Sequence, residues 1–169
     1  MQLTPEEFLA QYGPGSPIEV ANAWVQAVLE SRDLRRVWPL ATPALRERGA
    51  RGWIEANRDH PGVAHRDLDE LTAALASESP DDPLWSRFEE AQLAGFATVW
   101  SDVDLRTWGF ASGTRPLGVD RELVMLVDAG SEEAITLEED TALPAIGLAM
   151  EYQDDRWRVD DLGPPSRFV

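Results

Sequence analysis

The pattern of apolar and polar positions changes its period once along this chain. Up to about residue 97, apolar residues recur every three or four positions, as in Val20, Trp24 and Val28. This spacing is typical of helices that bury one face. From residue 98 the period falls to two, for example over residues 103–110, which is typical of half-buried strands. Helices followed by strands predict an α+β fold, with the helices packed on an antiparallel sheet.

The helix starts are marked by a capping side chain that stands directly before a proline. These pairs are Thr4-Pro5, Ser16-Pro17, Thr42-Pro43 and Asp82-Pro83. The capping oxygen accepts a hydrogen bond from a first-turn N–H, and a proline at the first helical position loses no hydrogen bond. Glu7 and Glu19 extend the first two pairs into predicted capping boxes. The predicted helices cover residues 5–12, 17–32, 43–58, 66–77 and 83–96.

The strand half contains one segment that is apolar on both faces, residues 122–127. We predict a central strand there, with one face under the helices and the other covered by a curl of the sheet or by another subunit. Residues 144–152 and 156–162 predict a hairpin, and Gly163-Pro164-Pro165 is expected to end its pairing. The prediction is therefore one domain over residues 1–169, mainly helical over 1–97 and mainly strand over 98–163, with four to five strands.

Length and apolar content suit one folded domain, since 169 residues with seven Trp can form a true core. No apolar run reaches the roughly 18 residues that a membrane span needs. The N-terminus also lacks the basic and apolar regions of a signal peptide. We therefore expect a cytoplasmic protein that does not associate with membranes.

The charge is strongly acidic, with 15 basic and 31 acidic residues and a net charge of −16. Such a charge opposes binding to nucleic acid phosphates. The chain has no Lys and no Cys, which excludes Schiff-base catalysis, thiolate nucleophiles and disulfides. The densest acidic stretch, residues 128–140, could dock a basic protein partner, or it could be a solvated connection that keeps the protein soluble.

Two histidines, His60 and His65, lie five positions apart and could bind zinc or iron together with nearby carboxylates. His60, however, stands in a predicted turn, and Arg58 and Arg66 would repel a cation. The sequence therefore predicts no metal site, and we predict no cofactor.

The last predicted strand, Arg156-Trp157-Arg158-Val159-Asp160, carries a family resemblance, together with the amphipathic helix around Trp24 and the bend Val37-Trp38-Pro39-Leu40 that follows it. These features resemble the nuclear transport factor 2 (NTF2)-like superfamily, also called the SnoaL-like or cystatin-like cone fold. The resemblance implies helices on the concave face of a strongly curved antiparallel sheet. This chain departs from the pattern in the extra helix over 57–97 and in the lack of an identifiable short early strand. The superfamily includes isomerases, dehydratases, cyclases and protein-binding domains, so the resemblance leaves the function open.

The mouth of such a cone would be lined by the first long helix and by inward strand residues. The pocket residues predicted on this basis are Trp24, Trp38, Trp108 and Met125. Asp104 could act there as a base with a raised pKa, and Tyr152 as a hydrogen-bond donor to a carbonyl. In the alternative interpretation Asp104 pairs with Arg106 or with water on the surface, and Trp108 and Tyr152 belong to the core.

The functional prediction is a non-catalytic binding or accessory module, because no constellation of titratable residues stands out where chemistry would need one. The expected partners are a second copy of the chain, which forms a homodimer through the sheet, and either a small hydrophobic ligand or a basic protein. One alternative is a cofactor-independent isomerase, dehydratase or cyclase that acts on a small hydrophobic molecule in the cone. Another is an interaction protein that binds a basic partner through its acidic surface.

Overall fold

The structure, a computed structural model, describes residues 4–130 and 143–168, and its description of side chains ends at Gly163. The helices are α1 (Pro5–Tyr12), α2 (Pro17–Gln26), α3 (Leu34–Val37), α4 (Pro43–Ala56), α5 (Pro61–Ala64), α6 (Leu68–Ala76) and α7 (Trp85–Val99). A π-helical turn, Ala27–Ser31, continues α2, and a 3-10 turn, Trp38–Leu40, follows α3. The strands are β1 (Trp108–Phe110), β2 (Arg115–Gly118), β3 (Arg121–Asp128), β4 (Leu143–Gln153) and β5 (Arg156–Phe168). The predicted α+β class is confirmed.

The helix starts follow the capping chemistry at three of the four predicted places. Thr4 and Glu7 form a reciprocal capping box, and Ser16 and Thr42 each accept a hydrogen bond from a first-turn N–H. Glu19 accepts a hydrogen bond from the N–H of Gly15, so a full second box is not formed. Asp82 instead accepts from the Leu84 N–H at 2.9 Å, and α7 begins only at Trp85. The predicted start at residue 83 is therefore two residues early.

The sheet is antiparallel, curved and unclosed. β3 lies between β4 on one side and, on the other, β1 and β2, which pair with successive parts of its length. β4 then pairs with β5, which forms the opposite edge. Among the described helices, none has both the length and the apolar character that crossing a lipid bilayer requires.

The predicted hairpin of β4 and β5 is present, with Asp154 and Asp155 at φ of 50° and 60° in its turn. Two successive positive φ angles are characteristic of the type I′ turn, whose twist matches that of paired strands. The predicted stop at Gly163-Pro164-Pro165 is wrong, because pairing continues to Phe168, opposite Leu143. β5 is an edge strand, where a proline can be accommodated without the loss of a ladder hydrogen bond.

The predicted strand over residues 103–110 is reduced to its last three residues, β1. Residues 104–107 form a turn instead, in which the carbonyl of Asp104 accepts from the N–H groups of Thr107 and Trp108 at 2.9 Å and 2.8 Å. These local hydrogen bonds satisfy the backbone without a partner strand, so the alternating pattern does not produce one here.

The two faces of β3 belong to different clusters. Val124 and Leu126 lie in the main core under the helices, whereas Met125 and Val127 lie on the other face with Ala145. All five side chains are buried within the single chain. Of the two predicted ways to cover the second face, a partner subunit is therefore not required. The homodimer stays a prediction without this support.

The main core is dominated by aromatic rings between the helices and the sheet. α2 contacts β3, β4 and β5, while α4 packs against α6 and α7. A continuous series of ring contacts, with centroids 5.5 to 6.4 Å apart, crosses the helical layer. Its members in order are Trp53, Phe88, Trp38, Trp24, Phe96 and Trp100.

Candidate functional site

An apolar cleft opens at the C-terminal end of α7, where this aromatic series reaches the surface. Its volume is about 240 Å³. We call it the α7 cleft, and its lining residues are Ala91, Gln92, Gly95, Phe96, Val99, Trp100 and Leu162. All but Leu162, which comes from β5, lie on α7 or directly follow it. The cleft therefore lies where the last long helix meets the edge of the sheet.

The wall of the α7 cleft is aromatic. Phe96 stacks on Trp100 with ring centroids 5.5 Å apart and an interplanar angle of 29°. On the core side, Trp24 meets Phe96 edge-on at 6.3 Å. Val99 is 53% exposed at the mouth, and a methyl group placed on Gly95 would meet no atom within 4 Å. This end of α7 therefore combines open volume with an apolar, aromatic surface.

The hydrogen bonding of the buried indoles differs along the aromatic series. Trp38 donates from Nε1 to the carbonyl of Leu75 at 2.9 Å, and Trp85 donates to the Glu89 carboxylate at 3.2 Å. The Nε1 atoms of Trp24 and Trp100 are buried and have no hydrogen-bond partner among the residues that the structure describes. A buried donor without an acceptor is unusual in folded proteins and costs free energy. Trp100, which is 3% exposed, forms part of the cleft wall.

The predicted pocket residues divide between two places. Trp24 and Trp38 are both fully buried and stack at 6.4 Å, so the structure brings these two together. Trp108 also belongs to the main core. Met125 faces the opposite side of the sheet and is not in the same cluster. Trp24 contacts Phe96 of the α7 cleft but does not itself line the cleft.

The predicted base, Asp104, lies in the turn before β1 with its side chain 40% exposed. The Arg106 guanidinium donates to its carboxylate at 2.6 Å, and this hydrogen bond lowers the pKa of Asp104 to about 2. Pairing with Arg106 is the arrangement of the alternative interpretation, and the burial that would raise the pKa of a base is absent. Tyr152 is exposed on β4 and packs against Trp157 at 5.4 Å.

The two histidines flank the short helix α5. His60 accepts a hydrogen bond from the Gly62 N–H at its Nδ1 atom, 3.0 Å away, and His65 follows the last residue of the helix. Within residues 4–130 and 143–168, no three His, Asp or Glu side chains are grouped so that they could hold a metal ion. Most of the acidic stretch, residues 131–140, lies outside the described residues.

A partly buried charge cluster, which the sequence did not predict, joins the hairpin to the helices. Arg158 donates to the Glu78 carboxylate at 2.6 Å, and Arg156 donates to the same group at 3.0 Å. Arg46 lies 3.7 Å from Glu78 and donates to the carbonyls of Ala76 and Ala41 at 2.6 Å each. The hydrogen bond from Arg158 lowers the pKa of Glu78, and burial lowers that of Arg46. This cluster links α4, the segment after α6 and β5, which are distant in sequence. None of the described clefts is lined by its residues.

The cleft residues are also missed by the sequence prediction, in which the last helix ends at residue 96. α7 continues to Val99, and the apolar positions Phe96, Val99 and Trp100 continue its spacing of three and four residues. That continuation is the signal by which the sequence could have indicated a longer helix.

No protein-family model matches this chain, and no curated protein is similar enough to match it.

Proposed function

We propose that this chain is an NTF2-like domain that acts as a non-catalytic binding module and takes a small hydrophobic ligand in the α7 cleft. The observation that carries the proposal is the cleft itself, an apolar, aromatic-walled opening at the end of the buried ring series. Small-molecule sites are typically apolar clefts with few polar groups, of about 300 Å³ or more. A cleft of about 240 Å³ suits a small ligand, or one that projects partly into solvent.

The NTF2-like assignment is supported by the order of elements and by the last hairpin. Helices come first, the sheet is curved and antiparallel, and the segment Arg156-Trp157-Arg158-Val159-Asp160 forms the start of β5. A single parallel bridge between Ala41 and Val159 also places a short extended segment beside β5. The order of elements and the last strand are among the features on which the resemblance rests, and the bridge was not predicted from the sequence.

Binding is favoured over the isomerase, dehydratase or cyclase alternative by the electrostatics of the carboxyl groups. In the described part of the chain, four carboxyl groups have a clearly displaced pKa, and all four are lowered by hydrogen-bond donors. They are Glu7, Glu78, Asp82 and Asp104. A carboxylate that removes a proton from a hydrophobic substrate works best with a raised pKa.

Native mass spectrometry of the protein purified gently from its own host tests the proposal. We expect a small-molecule adduct on the wild type and its loss in Gly95→Leu, since the added side chain would fill the cleft. Gly52→Leu is the matched control, because Gly52 is likewise an exposed helical glycine with no atom within 4 Å of an added methyl group.

An adduct that is retained by Gly95→Leu would place the ligand elsewhere and contradict the proposed site. A stoichiometric basic protein in place of a small molecule would make the chain an accessory module instead. The same spectra report whether the chain is a homodimer, which we retain as a proposal together with a cytoplasmic location.

A further inference from the structure

The unpaired indole at Trp100 indicates what kind of ligand the α7 cleft would take, on the basis of the function proposed above. We propose that the cleft binds a flat, mostly apolar molecule that carries one hydrogen-bond acceptor, such as a ketone oxygen, and that Trp100 Nε1 donates to it. Phe96 and Trp100, which stack on each other, present aromatic surface on which a planar apolar body can pack. The acceptor would satisfy the donor that the described residues leave without a partner.

Of the two unpaired indoles, Trp100 lines the α7 cleft and Trp24 does not. Trp100 belongs to the cleft wall, whereas Trp24 lies fully buried behind Phe96, with the two rings edge to face at 6.3 Å. The N–H of Trp100 is covered in this structure. An acceptor in the cleft therefore requires a wall side chain to move, and the candidate is Phe96, which is part-buried, stacks on Trp100 and lines the same cleft.

The polar surroundings of the cleft favour a neutral acceptor over an anion. In the described part of the chain, no Arg or His lines the α7 cleft, and Gln92 is its one polar side chain. The chain as a whole carries a net charge of −16, which opposes the approach of an anion. A neutral carbonyl avoids this repulsion and still satisfies an indole N–H.

The matched probes are fluorene and fluorenone, which share one flat tricyclic frame and differ in a carbonyl oxygen. Equilibrium dialysis measures the dissociation constant of each probe for the wild type and for variants. Hydrophobic burial alone favours fluorene, because the hydrocarbon gains more on leaving water. A hydrogen bond from a buried donor that is otherwise unpaired reverses this order, and we expect fluorenone to bind about tenfold more tightly.

Trp100→Phe keeps an aromatic wall and removes the donor, so we expect it to abolish the preference for fluorenone. Trp24→Phe removes the other unpaired indole and is expected to leave the preference unchanged. Gly95→Leu should prevent the binding of both probes, and Gly52→Leu should bind as the wild type does.

The outcomes separate this inference from the proposed function. If both probes bind the wild type and Gly95→Leu blocks them, but fluorenone has no advantage, the cleft stands and the acceptor inference is wrong. A preference for fluorenone that persists in Trp100→Phe also overturns the inference. If neither probe binds, the inference is wrong, whereas the ligand-binding function is decided separately by the adduct in native mass spectrometry.

Discussion

The C-terminal ends of α6 and α7 differ in how their buried donors are paired. At the end of α6, Trp38 donates to the Leu75 carbonyl and Arg46 to the carbonyl of Ala76. At the end of α7, the indole of Trp100 has no partner among the described residues, and the chain leaves an open cleft. We call these the packed end and the open end.

The packed end shows how the fold stabilises a helix terminus that lacks a backbone cap. The last carbonyls of a helix have no intrahelical partner, and here the side chains of Trp38 and Arg46 supply donors to the end of α6. The buried donors are paired at the end of α6 and the Trp100 donor is not paired at the end of α7, which suggests that the two ends have different roles. A buried hydrogen-bond donor without a protein acceptor is expected at a cleft where a bound ligand supplies the acceptor.

Arg46→Met should give the largest effect, since Arg46 is buried and donates to two carbonyls. Methionine fills much of the same volume but leaves the carbonyls of Ala76 and Ala41 without their donor. We expect the free energy of unfolding to fall by about 3 kcal/mol, as measured by urea denaturation followed by circular dichroism.

Arg51→Met is the matched control on the same helix, because Arg51 is exposed and pairs with Asp69 at 3.5 Å across solvent. Its removal should change stability by less than about 0.5 kcal/mol. Equal losses of stability in the two variants would show that the hydrogen bonds of Arg46 to the two carbonyls do not stabilise the fold. The packed end would then not differ from an exposed helix surface.

A second test applies one substitution, Trp to Phe, at both ends. Trp38→Phe leaves the buried Leu75 carbonyl without its indole donor, whereas Trp100→Phe removes a donor that no described residue accepts. Both variants lose similar ring volume, so that cost largely cancels in the comparison. We expect Trp38→Phe to be less stable than Trp100→Phe by about 1–2 kcal/mol. Equal stabilities would indicate that the Trp100 indole is paired in solution, for example with ordered water.

The features that the sequence predicted best are those decided by neighbouring residues. Thr4 and Thr42 cap their helices through side-chain bonds that span three residues, and the turn at Asp154 and Asp155 is equally local. The predicted stop after residue 162 failed because a proline is tolerated on an edge strand, and the edge position of β5 is a tertiary property.

The candidate site was harder to predict because its residues meet only through the fold. Leu162 joins α7 across more than sixty positions of sequence, and the donor of Trp100 stands out only once its neighbours are known. The partners of Glu78 are likewise distant, since Arg158 lies 80 positions away. Alternating residues at 103–107 imitated a strand, although Asp104 satisfies the backbone there locally.

Acid unfolding extends the comparison to the carboxylates that follow the two ends in the sequence: Asp82 after α6 and Asp104 after α7. Arg66 lowers the pKa of Asp82, whose side chain is only 5% exposed, while Arg106 lowers that of the more exposed Asp104 to about 2. A lowered pKa contributes stability above the ordinary value, near 3.9, that is lost as the pH falls through the folded value.

The ion pair of Asp104 with Arg106 is exposed to solvent and should contribute little to the free energy of unfolding. The pair of Asp82 with Arg66 is better shielded from solvent and should contribute more. We therefore expect Asp82→Asn to be less stable than the wild type at pH 7, by a margin that narrows steadily below pH 4. Asp104→Asn should follow the wild-type curve across this range, as should Asp81→Asn, which alters the exposed neighbour of Asp82. Denaturant midpoints measured between pH 7 and pH 2.5 check this order. A larger loss in Asp104→Asn would show that the turn at the open end is as firmly fixed as the packed end, and that the contrast between them is confined to the indoles.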